Sequence, residues 1–332
     1  MLNSSNIFCL AGGGRSPKYA PNKLLIWDDE STTEVKEIRM KSKIQNAKIK
    51  KKFLYVVCED EITVISTSDF STIETIRTVE NPSGICAIAH DPNTNLFAWP
   101  GLEKGQIQIK NFDMDKSSQV LKAHENFIAL IEFNFLGDLI ATASDKGTII
   151  RIYRCIDGSF IQEFRRGKEK AEISYICFDA ASKLMAATSD RGTIHIWSMG
   201  SCIKTMNEKP IQKDSSLVDN RITGRSEIDS RDSNTTDVTV NEGNKKEKVE
   251  DFPKNQSSIF KGLPGIGTFF KSEWSFAKLR IDNQKSICAF GEDNTIIAIT
   301  SEGKYYQATI DLKKGGDCVI TKEASLNGTN KK

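Results

Sequence analysis

Residues 139–152 read LIATASDKGTIIRI, and residues 184–197 read LMAATSDRGTIHIW. Ser144 aligns with Ser189, Asp145 with Asp190, Gly147 with Gly192 and Thr148 with Thr193, each pair 45 residues apart. Phe133 and Phe178 keep the same spacing. Each copy carries two short apolar, β-forming runs broken by a Ser-Asp-x-Gly-Thr turn. That pattern at that period is the mark of a four-stranded propeller blade. A lone blade leaves both faces of its sheet uncovered, so copies must stack side by side around an axis.

Weaker copies extend in both directions. Upstream, Leu96–Pro100 pairs with Gly105–Phe112, Phe53–Cys58 with Glu61–Ser66, and Ile7–Leu10 with Lys23–Asp28. Downstream, Thr295–Thr300 and Tyr305–Ile310 flank the turn Ser301-Glu302-Gly303. Ser301 lies 112 residues after Ser189, one period plus 67 extra residues, and the excess falls roughly between Ser198 and Ser272. Within it, residues 207–258 are rich in Asn, Ser, Thr, Asp, Glu and Lys, with Phe252 the only aromatic residue. Such a composition cannot bury enough apolar surface to offset the entropy of ordering. It reads as a disordered insert in one all-β, WD40-like β-propeller domain spanning residues 1–332. The count is about six blades, the first lacking its innermost strand.

Composition excludes several function classes. Lys plus Arg number 46 against 44 Asp plus Glu, a formal charge of +2, which argues against a nucleic-acid wrapper and an acidic tail protein. Anion binding must therefore come from local placement of cations. No run approaches the ~18–20 apolar residues of a membrane span, and no signal peptide is readable at Met1–Asn6. The eight cysteines form no CxxC pair and have no histidine at metal-ligand spacing; they read as buried, reduced thiols of a cytosolic protein, with no metal and no cofactor. Three histidines and the absence of HExxH, GxSxG and P-loop patterns leave no nucleophile–base pair, so the reading is non-enzymatic.

The chemistry lies in Phe164-Arg165-Arg166-Gly167. Adjacent side chains on a strand point to opposite faces, so the two arginines serve different grooves between blades. Each guanidinium is a forked donor that matches a phosphate and stays charged at any relevant pH. Gly167 is expected to turn the backbone sharply. A plainer reading has the arginines facing solvent or a carboxylate such as Glu163.

Together these residues resemble the PROPPIN family, the polyphosphoinositide-binding β-propellers that include the WIPI proteins of autophagy. The resemblance rests on residues 12–23 (GGGRSPKYAPNK) with Ile26–Asp29, on 141–148 (ATASDKGT), on the FRRG tetrapeptide and on 189–195 (SDRGTIH). Residues 274–278 (WSFAK) and 288–291 (CAFG) add to it, and the opening and the WSF segment look most like the short WIPI-type branch. It implies a seven-bladed architecture, with one more blade ahead of the segment that opens this chain. It also implies two pockets for phosphatidylinositol 3-phosphate and phosphatidylinositol 3,5-bisphosphate. The first would use His124, Ser144, Thr148, Arg151 and Arg165; the second Arg166, Ser189, Thr193 and His195. His124 could equally be a structural blade histidine, and the hydroxyls could simply cap turns.

The apolar cluster Ile259–Phe270 falls where the family carries a membrane-inserting loop, in the sixth blade of the family count. Phe260, Leu263, Ile266, Phe269 and Phe270 are the candidates for insertion; packing on the propeller is the alternative. The implied role is a cytoplasmic effector recruited peripherally to autophagosomal precursor and endosomal or vacuolar membranes. The implied protein partner is the large autophagy lipid-transfer protein, with Gly12–Lys23 a candidate contact. The rival is a lipid-independent WD-type scaffold.

Overall fold

Strands Leu139–Ser144 and Leu184–Ser189 are buried at every position. Only a sheet covered on both faces hides consecutive residues of a strand, because neighbours point opposite ways. The computed structural model, which describes residues 6–114, 116–208, 252–257 and 272–326, shows how both faces are covered.

Among the described residues six sheets follow one another along the chain, antiparallel except for two short parallel pairings. The first has three strands (Ile7–Ala11, Lys23–Asp28, Thr33–Arg39) and the second four, running from Asn46–Ile49 to Thr72–Arg77. The third runs from Ala87–Ile88 to Gln119–Lys122 and the fourth from Ile128–Phe133 to Phe160–Arg165. The fifth holds Ile173–Phe178, Leu184–Ser189, Thr193–Ser198 and Ala277–Arg280; the sixth runs from Ser286–Phe290 to Val319–Ser325. The propeller read from the repeats thus shows six blade sheets among the described residues, the first with three strands.

Five clusters of buried side chains each straddle two consecutive sheets. Alternation assigns the residues. Met185, Ala187 and Trp197 pack against the fourth sheet, whereas Leu184, Ala186, Ile194 and Ile196 pack against the sixth. Burying one such large aliphatic side chain contributes about 1.5–3 kcal/mol. Polar pins cross the same seams. Lys50, buried in the turn that follows Asn46–Ile49, donates from Nζ to the carbonyls of Ala89, Asp91 and Thr94 at 2.6–2.7 Å. Thr188 donates to the Ser286 carbonyl at 2.6 Å, tying the fifth sheet to the sixth.

The turns of the repeat need glycine. Gly147 and Gly192 have φ of 60° and 63°, and a Cβ on Gly147 would sit 1.8 Å from the Ala171 carbonyl oxygen. At Gly167 φ is not in the left-handed region, and a Cβ there would meet nothing within 4 Å; the strand ends at Arg165 and the chain bends at Lys168 and Glu169, just beyond this glycine.

The long insert leaves the fifth sheet after Ser198 and returns at Ala277. The reading of 207–258 as disordered is corrected at both ends. Residue 207 lies in a helix, Gly200–Glu208, whose Cys202 joins the core between the fourth and fifth sheets. Residues 252–257 lie on the propeller. Asn255 accepts from the Ser198 amide at 2.8 Å, and its Nδ2 donates to the Ser198 carbonyl and to Glu273 Oε2, each at 2.7 Å. Gln256–Ser257 then pairs with Glu273–Trp274, which runs parallel to Phe164–Arg165. These contacts satisfy backbone groups that composition alone left without partners. Residues 209–251 lie outside the described residues, as do Phe260, Leu263, Ile266, Phe269 and Phe270.

Replacing residues 209–251 by a short Gly-Ser linker is expected to leave urea-unfolding stability nearly unchanged, since closure entropy depends weakly on loop length. Asn255→Ala in the full chain should instead lower it by about 1–3 kcal/mol, as three hydrogen bonds at the seam are lost.

Candidate functional site

Period-two alternation fixes which groove each candidate enters. On Leu139–Ser144, Leu139, Ala141 and Ala143 face the fifth sheet, which turns Thr142 and Ser144 toward the third. On Phe160–Arg165, Phe164 faces the fifth sheet, so Glu163 and Arg165 face the third. Arg166, the next residue, turns back toward the fifth.

His124, Ser144, Thr148, Arg151 and Arg165 all line one cleft of about 210 Å³ between the third and fourth sheets. Arg165 is buried, 5% exposed, and donates from one terminal nitrogen to Ser272 Oγ at 3.2 Å. The same nitrogen lies 3.6 Å from Glu163 Oε1. Arg151 donates from Nε to Glu163 Oε2 at 3.0 Å and from a terminal nitrogen to the Ala123 carbonyl at 2.8 Å. Ser272 in turn donates to Glu163. His124 Nε2 is 3.0 Å from Thr142 Oγ1, so this histidine both lines the cleft and makes a structural bond. Burial first, and the Arg151 charge second, push its pKa down to about 4. The imidazole is therefore neutral at pH 7.

The second group faces the seam between the fourth and fifth sheets. Arg166 is buried and donates from Nε to the Gly147 carbonyl at 2.9 Å and from a terminal nitrogen to the Glu169 carbonyl. His195 projects opposite to Ile194 and Ile196, stacks on Trp197 at 5.6 Å, and places Nδ1 3.0 Å from Ser275 Oγ. Burial, then the charges of Lys278, Arg166 and Arg280, depress its pKa to about 3. Ser189 is buried beside this turn, where its Oγ accepts from the Arg191 amide at 3.4 Å, and Thr193 is half-buried opposite Arg280. Its hydroxyl thus also does the turn-capping work of the plainer reading. Burial lowers the pKa of both Arg165 and Arg166 from the arginine range.

Lys146, Glu163, Ser272 and Ser275 were not among the site residues read from the sequence. Lys146 had a signal: it occupies the x of the same Ser-Asp-x-Gly turn. Glu163 lies two residues from Arg165 and so shares its face. Ser272 and Ser275 carry none, because they come from across the insert, 107 and 80 residues from the side chains they meet.

Adjacent arginines turned into two separate seams, at the equivalent turns of consecutive sheets, are a specific arrangement. A sequence model described as PROPPIN matches residues 16–220. The chain belongs to the PROPPIN family. It is 30% identical to Autophagy-related protein 18e of Arabidopsis thaliana over 322 residues, 96% of this chain and 73% of that protein. It is 26% identical to Autophagy-related protein 18 of Yarrowia lipolytica, over 98% of this chain and 85% of that one. Among solved structures, Kluyveromyces lactis Hsv2 superposes with a TM-score of 0.68 at 17% identity, covering 98% of this chain and 85% of that chain. KlAtg21, solved in complex with the coiled coil of AgAtg16, gives 0.65 at 20% identity, with 98% and 83% covered. The structural likeness carries the fold of this PROPPIN; the curated relatives carry its place among autophagy-related proteins. Among the described residues, no helix is long and apolar enough to cross a membrane.

Both buried histidines have folded-state pKa values below the unfolded value of about 6.5. Their contribution is thus complete above about pH 6.5 and is lost as pH falls toward 4 for His124 and 3 for His195. The slope should be about 1.4 kcal/mol per pH unit per histidine. Urea titrations between pH 7 and 4.5 should show this decline, and His124→Gln should flatten it by about half.

Proposed function

We propose that this PROPPIN is a non-enzymatic, peripheral membrane effector that captures phosphatidylinositol 3-phosphate and phosphatidylinositol 3,5-bisphosphate. It would act in autophagosome formation and endosomal membrane traffic. The observation that carries the reading is the divergence of Arg165 and Arg166 into separate grooves, each furnished with hydroxyls and an imidazole. Guanidinium donors neutralise phosphate, and Ser144 and Thr148, or Ser189 and Thr193, supply hydrogen bonds to phosphate and inositol oxygens. Two sites on one rigid body make the second capture intramolecular, so weak sites combine into firm membrane residence.

Recruitment from the cytoplasm to autophagosomal precursors and to endosomal or vacuolar membranes goes with this reading. So does a protein partner, the autophagy lipid-transfer protein, with Gly12–Lys23 as the candidate contact. A second reading, a lipid-independent scaffold, draws on the internal partners that both arginines already have in Glu163 and in the Gly147 and Glu169 carbonyls.

Liposome flotation separates the two. Arg165→Ala and Arg166→Ala should each weaken binding to vesicles carrying either lipid, by about tenfold for loss of one charge-assisted contact, and the double variant should abolish it. Wild-type binding to vesicles by both single variants, with the fold intact, sinks the lipid reading and leaves the scaffold.

Phe260, Phe269 and Phe270 are proposed to enter the bilayer. Changing all three to Ser should weaken vesicle binding while leaving capture of soluble inositol phosphates unchanged, because apolar burial of about 1.5–3 kcal/mol per side chain is lost and no headgroup contact is. Loss of soluble capture as well would assign these residues to the fold.

A further inference from the structure

The two clefts are matched by the sequence repeat but not in electrostatics. In the first, one carboxylate engages both cations. Glu163, only 15% exposed at its side chain, ion-pairs with Arg151 at 3.0 Å and lies 3.6 Å from Arg165 while lining the same cleft. Ser272 holds it there by donating to Oε1. A phosphate entering this cleft meets guanidiniums whose donors are already shared with an anion.

Among the described residues, no carboxylate stands at the matching strand position of the second cleft. Strand pairing sets Arg151, which lies across from Thr142, opposite Glu163 in the fourth sheet; in the fifth sheet the residue across from Ala187, the repeat-mate of Thr142, is His195, and it lies opposite Lys278. Among the described residues Arg166 makes no ion pair and donates to two backbone carbonyls. Asp190 and Glu169 lie near enough to favour its charge, and Arg191 opposes them. The balance at His195 is positive: Lys278, Arg166 and Arg280 all act on it in the same direction.

Resting on the reading of both clefts as phosphate sites, we propose that Glu163 is a built-in competitor that sets the affinity and charge discrimination of the first cleft, making it the weaker of the two. Holding the buried Arg165 guanidinium beside the half-buried one of Arg151 is costly without a counter-charge. Glu163 supplies that charge before any ligand arrives, and an incoming phosphate must displace it from Arg151 or share the arginine with it. Repulsion from a carboxylate grows with ligand charge. The first cleft therefore favours a headgroup carrying fewer phosphates, and the second tolerates more.

Calorimetry with soluble inositol 1,3-bisphosphate and inositol 1,3,5-trisphosphate tests this in full-length protein. Arg166→Ala isolates the first cleft and Arg165→Ala the second. The second cleft alone should bind both probes more tightly than the first alone. Adding Glu163→Gln to Arg166→Ala should tighten binding about tenfold, and more for the trisphosphate than for the bisphosphate; removing one like charge at ion-pair distance under partial screening gives that order. If Glu163→Gln loses its cooperative melt, Glu163→Asp is read instead. It keeps the charge but draws it back from Arg151, and it should tighten binding about threefold. Unchanged or weaker binding by these variants, with wild-type protein still binding both probes, overturns the competitor and shows that Glu163 only orients the arginines. No binding of either probe or of phosphoinositide vesicles by wild-type protein overturns the phosphate reading itself, and this inference with it.

Discussion

The second to fifth sheets are each sandwiched between two neighbours, and that two-sided burial sets the terms for everything else. Because consecutive side chains on a strand point opposite ways, each strand must satisfy two interfaces at once. Leu184 and Ala186 serve one seam while Met185 and Ala187 serve the other. The same alternation sends His195 to the opposite seam from Ile194 and Ile196, and parts Arg165 from Arg166 at the end of one strand. The candidate ligand clefts are thus the polar ends of the seams whose middles form the hydrophobic core.

This arrangement places strong cations where water is scarce. Arg165 and Arg166 are both buried, and burial lowers the pKa of each. The protein meets the cost in two ways: a carboxylate and a serine hydroxyl at Arg165, backbone carbonyls at Arg166. Fixed donors that need little reorganisation suit capture of a phosphate. The difference in counter-charge means that repeats equal in sequence are not equal as sites. The seam between the fourth and fifth sheets is also where the chain returns from its long insert, through Asn255 and then residues 272–278. The segment joining cleft to insert is therefore part of the site wall, since Ser272 and Ser275 reach into one cleft each.

How much was legible beforehand depended on distance along the chain. Blade pattern and strand positions follow from a 45-residue period and an alternation of two, both local; the grouping of His124, Ser144, Thr148, Arg151 and Arg165 was implied by the resemblance to the PROPPIN family. The ordered stretch around Asn255 was hidden in a polar composition, because its order comes from bonds to Ser198 and Glu273 and not from its own apolar content.

The sequence by itself determined the fold class, the number and order of the sheets, and the residue types facing each groove, because hydrophobic periodicity and turn chemistry act over a few residues. Only the tertiary structure decided what those residues meet. That Glu163 bridges Arg151 and Arg165, that Ser272 and Ser275 arrive from across the insert, and that two histidines are buried enough to stay neutral are consequences of packing between blades. Burial and counter-charge depend on what lies across the seam, and no local pattern records that.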